Sequence, residues 1–254
     1  MTTEVTKPKS SMRSLERALD VLRVMRQSRV PLRLSDIARE TGLHPATAQR
    51  ILNVLVKYDY LTQEGHVYSS GVTSLLNAHT YLVSNKLNLV SLPILQELTA
   101  STNMTSSISI RVGFAQVLLV RVESVPPLRY RIPVGEQMPL YLGGARILAA
   151  ALEPHDLDEL LQDLPEIRLA SGRTVSRAAF EDDLNTIRRL GYAYGHSQRE
   201  NGAASVSVAV LKHDDKVIAA LQLSGLVDDF DKGKVEWYVA ELQRASAAIT
   251  RGIP

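Results

Sequence analysis

Thr47, Gln49, Arg50, Asn53 and Lys57 share one side of a helical period that starts at Pro45. Their chemistry suits the edges and backbone of a nucleic acid. A glutamine amide can pair with adenine through two hydrogen bonds, an arginine fork with guanine, and a threonine with a phosphate oxygen or a thymine methyl. Each good bidentate base contact discriminates by about 1–3 kcal/mol. The opposite side of the same period holds Ala48, Ile51, Leu52, Leu55 and Val56, so one face is apolar and the other is free to read.

Such a helix must be braced. Upstream, Ser35 is placed to cap a short helix through Ile37 and Ala38 that Gly42 stops, and Pro45 suits a first helical turn. Ala38 and Gly42, four apart, supply the small crossing residue and the chain reversal of a helix-turn-helix. Before them, Leu15, Ala18, Leu19, Leu22 and Met25 mark a first helix with Ser14 as its cap. After them, two β-prone runs around Glu64-Gly65 predict a hairpin. Three helices and a hairpin make a winged helix-turn-helix. Ser35, His44 and the wing residue His66 complete the candidate DNA contacts; for His66, ordinary surface is the competing reading. Pro45 and Ala46 leave the start of the reading helix without a basic or hydroxyl anchor, which shifts recognition onto Thr47, Gln49 and Arg50.

Composition agrees with this and excludes much else. The 254 residues are 45% hydrophobic and 22% charged, ordinary globular values that allow a sizeable core. The net charge of +2 is unevenly spread: residues 1–70 carry 11 Lys/Arg against 7 Asp/Glu, and the remainder 18 against 20. The first part therefore suits a polyanion. The absence of cysteine excludes disulfides, thiol nucleophiles and thiolate metal sites. "MTTEVTKPKSSMRS" lacks an apolar signal core and no stretch approaches about 18 apolar residues, so the expectation is a cytoplasmic protein with no membrane contact.

Beyond the hairpin, Leu75, Leu82 and Leu89 recur every seven residues, with Leu76, Val83 and Val90 beside them. Two adjacent apolar stripes predict a linker helix that pairs with a second copy; packing on its own chain is the alternative. After Pro93 strand-like runs lie at 105–111, 115–123, 128–134, 192–197, 204–212 and 216–225. Helical patterns lie at 91–102, 144–152, 155–162, 176–190 and 232–250. Paired strands and separate helix blocks predict an α+β fold with a mostly antiparallel sheet. The expected organisation is a flexible tail 1–10, a DNA-binding domain 11–72, a linker helix 73–90 and a second domain 91–254.

Five stretches together resemble the isocitrate lyase regulator (IclR) family of bacterial transcription factors: "SLERALDVLRVM", "LRLSDIARETGLHPATAQRILNVLVKYDYL", "VESVPPLRYRIPVGEQMPLY", "IRRLGYAYG" and "GAASVSVAV…DDKVIAALQLSG". The resemblance implies a GAF/PAS-like effector domain, dimers that pair again into tetramers, and a roughly palindromic double-stranded operator. Carried across by position, it implies an effector cavity built from Tyr130, Met138, Gly144, Ala145, Gly195, His196, Ser205, Gln222 and Ser224. Several of these depart from the family pattern. Gly195 replaces the usual acid with His196 beside it, Ser205 a frequent cysteine, Gln222 a frequent serine, and Arg146-Ile147 a Gly-Lys pair. Losing an acid and gaining His196 and Gln222 favours an aromatic acid or related aromatic compound over a two- or three-carbon keto acid. Ser205 and Ser207 also read as plain strand residues, and Arg129 and Arg131 read as a solvated strand face, with carboxylate binding as the lesser alternative.

No cofactor or metal is implied, because the histidines at 44, 66, 79, 155, 196 and 213 form no ligand-spaced pair. No nucleophile elbow, Walker loop or dinucleotide fingerprint is present. A hydrolase of His196, Ser205 and Glu200 can be drawn, but nothing selects it. The other alternative is a DNA-binding protein whose second domain only oligomerises.

Overall fold

The computed structural model describes residues 12–128, 130–162, 164 and 166–253; the tail 1–10 and Arg129 lie outside the described residues. The chain divides into two compact units, one ending at Tyr81 and the other beginning at Leu82.

In the first unit, α1 (Arg13–Gln27), α2 (Leu34–Thr41) and α3 (Pro45–Lys57) pack with a small antiparallel sheet. Its strands β1 (Leu32–Arg33), β2 (Leu61–Glu64) and β3 (Val67–Ser70) run in the order β1-β3-β2. Val21, Met25, Ile37, Leu52, Leu55, Leu61 and Tyr68 form the core. Burying each large aliphatic side chain contributes about 1.5–3 kcal/mol. Gly42 takes the left-handed conformation (φ 66°) that ends α2, and its N–H bonds back to the Arg39 carbonyl at 3.2 Å.

Local details correct the sequence expectations. Ser35 does not cap α2, because the Asp36 carboxylate accepts from the Arg33 N–H at 3.2 Å and the helix starts at Leu34. Ser14 likewise lies inside α1 and not at its cap. The buried stripe of α1 is Val21, Val24 and Met25, whereas Leu15 and Leu19 remain exposed. The linker is two helices, α4 (Val72–Ser84) and α5 (Lys86–Thr102), interrupted at Asn85. The Asn85 side chain accepts from the Asn88 N–H at 3.0 Å and so starts α5 afresh, which breaks the heptad seam. Leu75, Leu76, Val83 and Leu89 are exposed, while Leu82 and Val90 pack on the core of the second unit.

The second unit is built on a six-stranded, wholly antiparallel sheet: β4 (Thr105–Val112), β5 (Ala115–Val122), β6 (Gln137–Pro139), β9 (Tyr192–His196), β10 (Ala203–Leu211) and β11 (Val217–Leu226). The order is β6-β5-β4-β11-β10-β9. Of the run 128–134 expected as a strand, Leu128 and residues 130–134 are not in one. Pro133 lacks the N–H a ladder needs, and the edge falls to β6, where Gln137 pairs with Val117. A two-stranded hairpin, β7 (Glu166–Arg168) and β8 (Thr174–Ser176), stands apart.

Alternation along β10 separates two environments. Val206, Val208 and Val210 join Leu95, Ile108, Leu221 and Leu242 in a core under α5 and α9 (Lys232–Gly252). The other face meets a 3-10 turn at Gly143–Ala145, α6 (Arg146–Ala149), α7 (Pro154–Leu161) and α8 (Arg177–Leu190), with Leu140, Leu148, Phe180 and Leu184 buried there. The first core is continuous and apolar, with Phe230 and Tyr238 among its aliphatic side chains; the second gives way to polar residues at one end.

Gly71 joins β3 to α4 in the first unit. It is buried, its N–H donates to the Tyr60 carbonyl at 2.8 Å, and an added Cβ would run into the Asp59 carbonyl oxygen. That obstacle is backbone and cannot swing aside. Gly71→Ala is therefore expected to cost about 1–3 kcal/mol in denaturant unfolding. Faster amide exchange in α3 with protection unchanged in β10 would confirm the location, and an unaltered stability would show that the turn relaxes freely.

Candidate functional site

The outer face of α3 is exposed at Ala46, Arg50, Asn53 and Lys57, and half-buried at Thr47 and Gln49. His44 stands at the start of the helix, where its Nδ1 accepts from the Ala46 N–H at 3.3 Å. It thereby supplies a cap that the sequence pattern assigned to DNA contact alone. Gln49 is already engaged: its amide nitrogen donates to Asn53 Oδ1 at 2.8 Å and to the Tyr68 hydroxyl at 3.0 Å. Tyr68 is buried on β3, so Gln49 ties the reading helix to the wing sheet. Arg50 has no ion-pair partner among the described residues, and Lys57 only lies over the Tyr58 ring, so both cations of this face are uncommitted. Ser35 is exposed on the first turn of α2, and His66 is exposed at the tip of the β2–β3 hairpin.

In the second unit, strand register assembles a polar floor. Gly195, Ser205, Ser224 and Thr105 align across β9, β10, β11 and β4; in the next row lie Ala193, Ser207, Gln222 and Ser107. Above it the 3-10 turn at Gly143–Ala145 is pinned by the Ser207 hydroxyl, which donates to the Gly144 carbonyl at 2.9 Å. Gln222 donates to Ser224 Oγ at 2.5 Å, and its Oε1 sits where a side chain on Gly144 would have to go. The space between is a narrow cavity of about 60 Å³.

One wall of that cavity carries a guanidinium group. Arg199 lies over the Tyr130 ring, 5.9 Å from its centroid, and touches the Met138 sulfur. It has no carboxylate partner among the described residues. Nearby, Glu123 is shared between Arg121 at 3.4 Å and Arg131 at 3.3 Å. Burial pushes the Arg121 guanidinium below its ordinary pKa; Glu123 opposes this, while Arg131 and Arg199 add to it. Glu200 also borders the cavity, so its lining carries one guanidinium group and one carboxylate, with the Arg121–Glu123–Arg131 cluster outside it.

Arg146 sits behind the turn with its side chain only 5% exposed. It donates to the Gly143 carbonyl at 3.0 Å, the Tyr194 carbonyl at 2.5 Å and Asp183 at 2.5 Å. A Cβ on Gly195 would lie 2.7 Å from its Nη2. The glycine and the buried arginine are therefore complementary: any side chain at 195 would displace the guanidinium.

A helix-turn-helix with an exposed cationic reading face is thus joined to a domain with a polar-floored cavity bordered by Arg199. Residues 14–65 match the IclR helix-turn-helix domain, and residues 79–251 match the bacterial transcriptional regulator IclR C-terminal domain. The chain belongs to the IclR family. It is similar to the transcriptional regulator XynR of Escherichia coli, 27% identical over 95% of this chain and 97% of that protein. It is also similar to the Pca operon regulatory protein of Acinetobacter baylyi, 27% identical over 76% and 71%. Among solved structures, an IclR family regulator from Brucella abortus superimposes with a TM-score of 0.81 at 21% identity, covering 98% of this chain and 97% of that one. An IclR homologue from Microbacterium hydrocarbonoxydans, crystallised with 4-hydroxybenzoate, gives 0.74 at 21%, covering 94% and 98%. This IclR protein is accordingly a DNA-binding transcriptional regulator with a C-terminal ligand-binding domain, and its relatives are regulators, not enzymes. Among the described residues no helix is long and apolar enough to cross a membrane.

Of the residues carried over from the IclR pattern, Tyr130, Gly144, Gly195, Ser205, Gln222 and Ser224 line the cavity together. Met138 lies against Arg199, Ala145 is sealed in the apolar core, and His196 pairs with Ala204, which by alternation turns it to the opposite face from Gly195. Arg199, Gln198 and Tyr68 carry no periodic signal in the sequence. The only hint to Arg146 is its replacement of the family's Gly-Lys pair.

Arg146→Met keeps the length and removes the donors, stranding two carbonyls and Asp183. Breaking a fully buried pair costs about 3–5 kcal/mol, and the partial exposure of Asp183 lowers the expectation here to about 2 kcal/mol. Denaturant unfolding reads the loss, and the Gly143 and Gly144 amide resonances should shift; a variant as stable as wild type would mean that the turn stands without the guanidinium.

Proposed function

We propose that the protein reads a roughly palindromic operator as a homodimer that pairs again into tetramers, and that an aromatic carboxylic acid in the Gly144–Ser205–Ser224 cavity modulates that binding. In this reading residues 11–72 recognise DNA, 73–90 link, 91–254 take the effector, and the protein works in the cytoplasm. Arg199 carries the proposal for the effector. A guanidinium without a carboxylate partner on the wall of a narrow cavity suits a carboxylate, and the Tyr130 ring beneath it suits a flat apolar body. The hydroxyl floor of Ser205 and Ser224 suits a further polar substituent.

On the DNA side, Arg50 is the principal base reader, with Thr47, Asn53 and Lys57 around it and Ser35, His44 and His66 toward the backbone. Gln49 reads a base only after one of its two internal hydrogen bonds is exchanged for a base contact, so its discrimination is partly offset by that loss. Leu15 and Leu19 on α1, with Leu75 and Leu76 on α4, are apolar surface that a second copy covers. A dimer of this kind reads half-sites about 34–36 Å apart or a multiple of that spacing. The effector acts by population shift, favouring one spacing of the two reading heads.

An operator titration at physiological salt with competitor DNA tests both halves. Arg50→Ala is expected to weaken specific binding by about 1–3 kcal/mol, roughly 5- to 150-fold, with the dimer intact. With 4-hydroxybenzoate as probe, Arg199→Gln should need about tenfold more ligand for the same change in operator affinity, the order expected for a lost charged hydrogen bond. A wild type with no sequence preference would sink the operator reading, and an Arg199→Gln response equal to wild type would sink the effector reading.

A further inference from the structure

A second cavity, about 390 Å³, lies on the other side of Arg146 and shares only Gly195 and Gln198 with the effector cavity. Tyr141, Ile167, Leu169, Val175 and Phe180 give it apolar walls, and the β7–β8 hairpin covers it. Its charges do not balance. Arg146 and Arg173 face it against the single carboxylate of Asp183, which Arg146 already engages, and Arg173 has no carboxylate partner among the described residues. Three of the five N–H groups of Arg146 are committed, leaving two. Apolar walls hold water poorly, and uncommitted guanidinium donors attract an anion.

We propose that this cavity is a second ligand site, for a monocarboxylic acid with a bulky apolar body, distinct from the effector site and coupled to it. The body occupies the space under the hairpin and the carboxylate pairs with Arg173. The coupling runs through Gln198. The hairpin loop is tied to the 197–198 segment, with the Ala170 N–H donating to the Gln198 carbonyl and the Ser171 N–H to the Ser197 carbonyl, both at 2.9 Å. The Gln198 side chain in turn accepts from the Gly143 N–H at 2.8 Å, at the mouth of the effector cavity. An occupant that moves the hairpin therefore moves Gln198 and the Gly143–Gly144 turn, and by linkage each ligand changes the affinity of the other by the same factor.

Calorimetric titration of the full chain with 4-phenylbutyrate tests this without reference to the effector's identity. Ala179 is an exposed residue of α8 at the cavity edge, so Ala179→Trp fills the space without disturbing a core. It should lower phenylbutyrate affinity at least tenfold. Arg173→Gln, also at an exposed position, should lower it severalfold. Ser224→Leu, which blocks the effector cavity, should leave phenylbutyrate binding in place. Absence of binding to wild type, unchanged affinity in both Ala179→Trp and Arg173→Gln, or abolition by Ser224→Leu would each overturn the second site. The last result would leave the effector-cavity reading standing.

Discussion

Arg146 gathers a carbonyl from the turn at Gly143, a carbonyl from β9 and the Asp183 carboxylate from α8 around one nearly buried guanidinium. Removing such a group from water costs several kcal/mol unless its donors are taken up, and here three elements supply acceptors at once. The arrangement dictates its neighbours. Position 195 has no room for a side chain, the Gly143–Gly144 turn is drawn down over the polar floor, and the space behind it is divided into a small polar chamber and a larger apolar one. The departures of this sequence from the family pattern at 146 and 195 are two halves of one adjustment.

Much of this fold is written in period and punctuation. Apolar spacing in α3, the glycine that ends α2 and the alternation in β10 and β11 each report a local rule that tertiary packing then obeys. The elements that escape such reading are set by non-local terms. The heptad stripes run straight through 85, yet an asparagine cap restarts the helix there, and one residue of each stripe, Leu82 and Val90, turns to the core of the second unit. The β7–β8 hairpin has one apolar residue per strand, too little to register as alternation.

The candidate sites divide along the same line. Arg50 can be placed from spacing alone, because a helix face fixes its direction, whereas Ser205, Gln222 and Ser224 follow from the family resemblance and strand register then sets them on one face. Gln198 and Arg199 sit in the irregular stretch after β9, where no period predicts direction, and they are the residues that close the cavity and give it charge. Gln49 shows the opposite failure. Its direction was legible, but its hydrogen bond to Tyr68, nineteen positions away, was not. The same logic governs both ends of the molecule: arginines that the protein itself leaves unpaired, Arg50 outside and Arg199 inside, are the groups offered to a ligand, and those it pairs, Arg146 above all, hold the architecture.

If Arg146 is what sets the geometry of the effector cavity, its loss should uncouple ligand from operator while sparing the reading head. The decisive measurement is operator affinity of Arg146→Met, followed by fluorescence anisotropy with and without 4-hydroxybenzoate beside wild type. Ligand-free operator affinity is expected to equal wild type, and the ligand-induced shift to be lost. A full wild-type shift retained in Arg146→Met would contradict it.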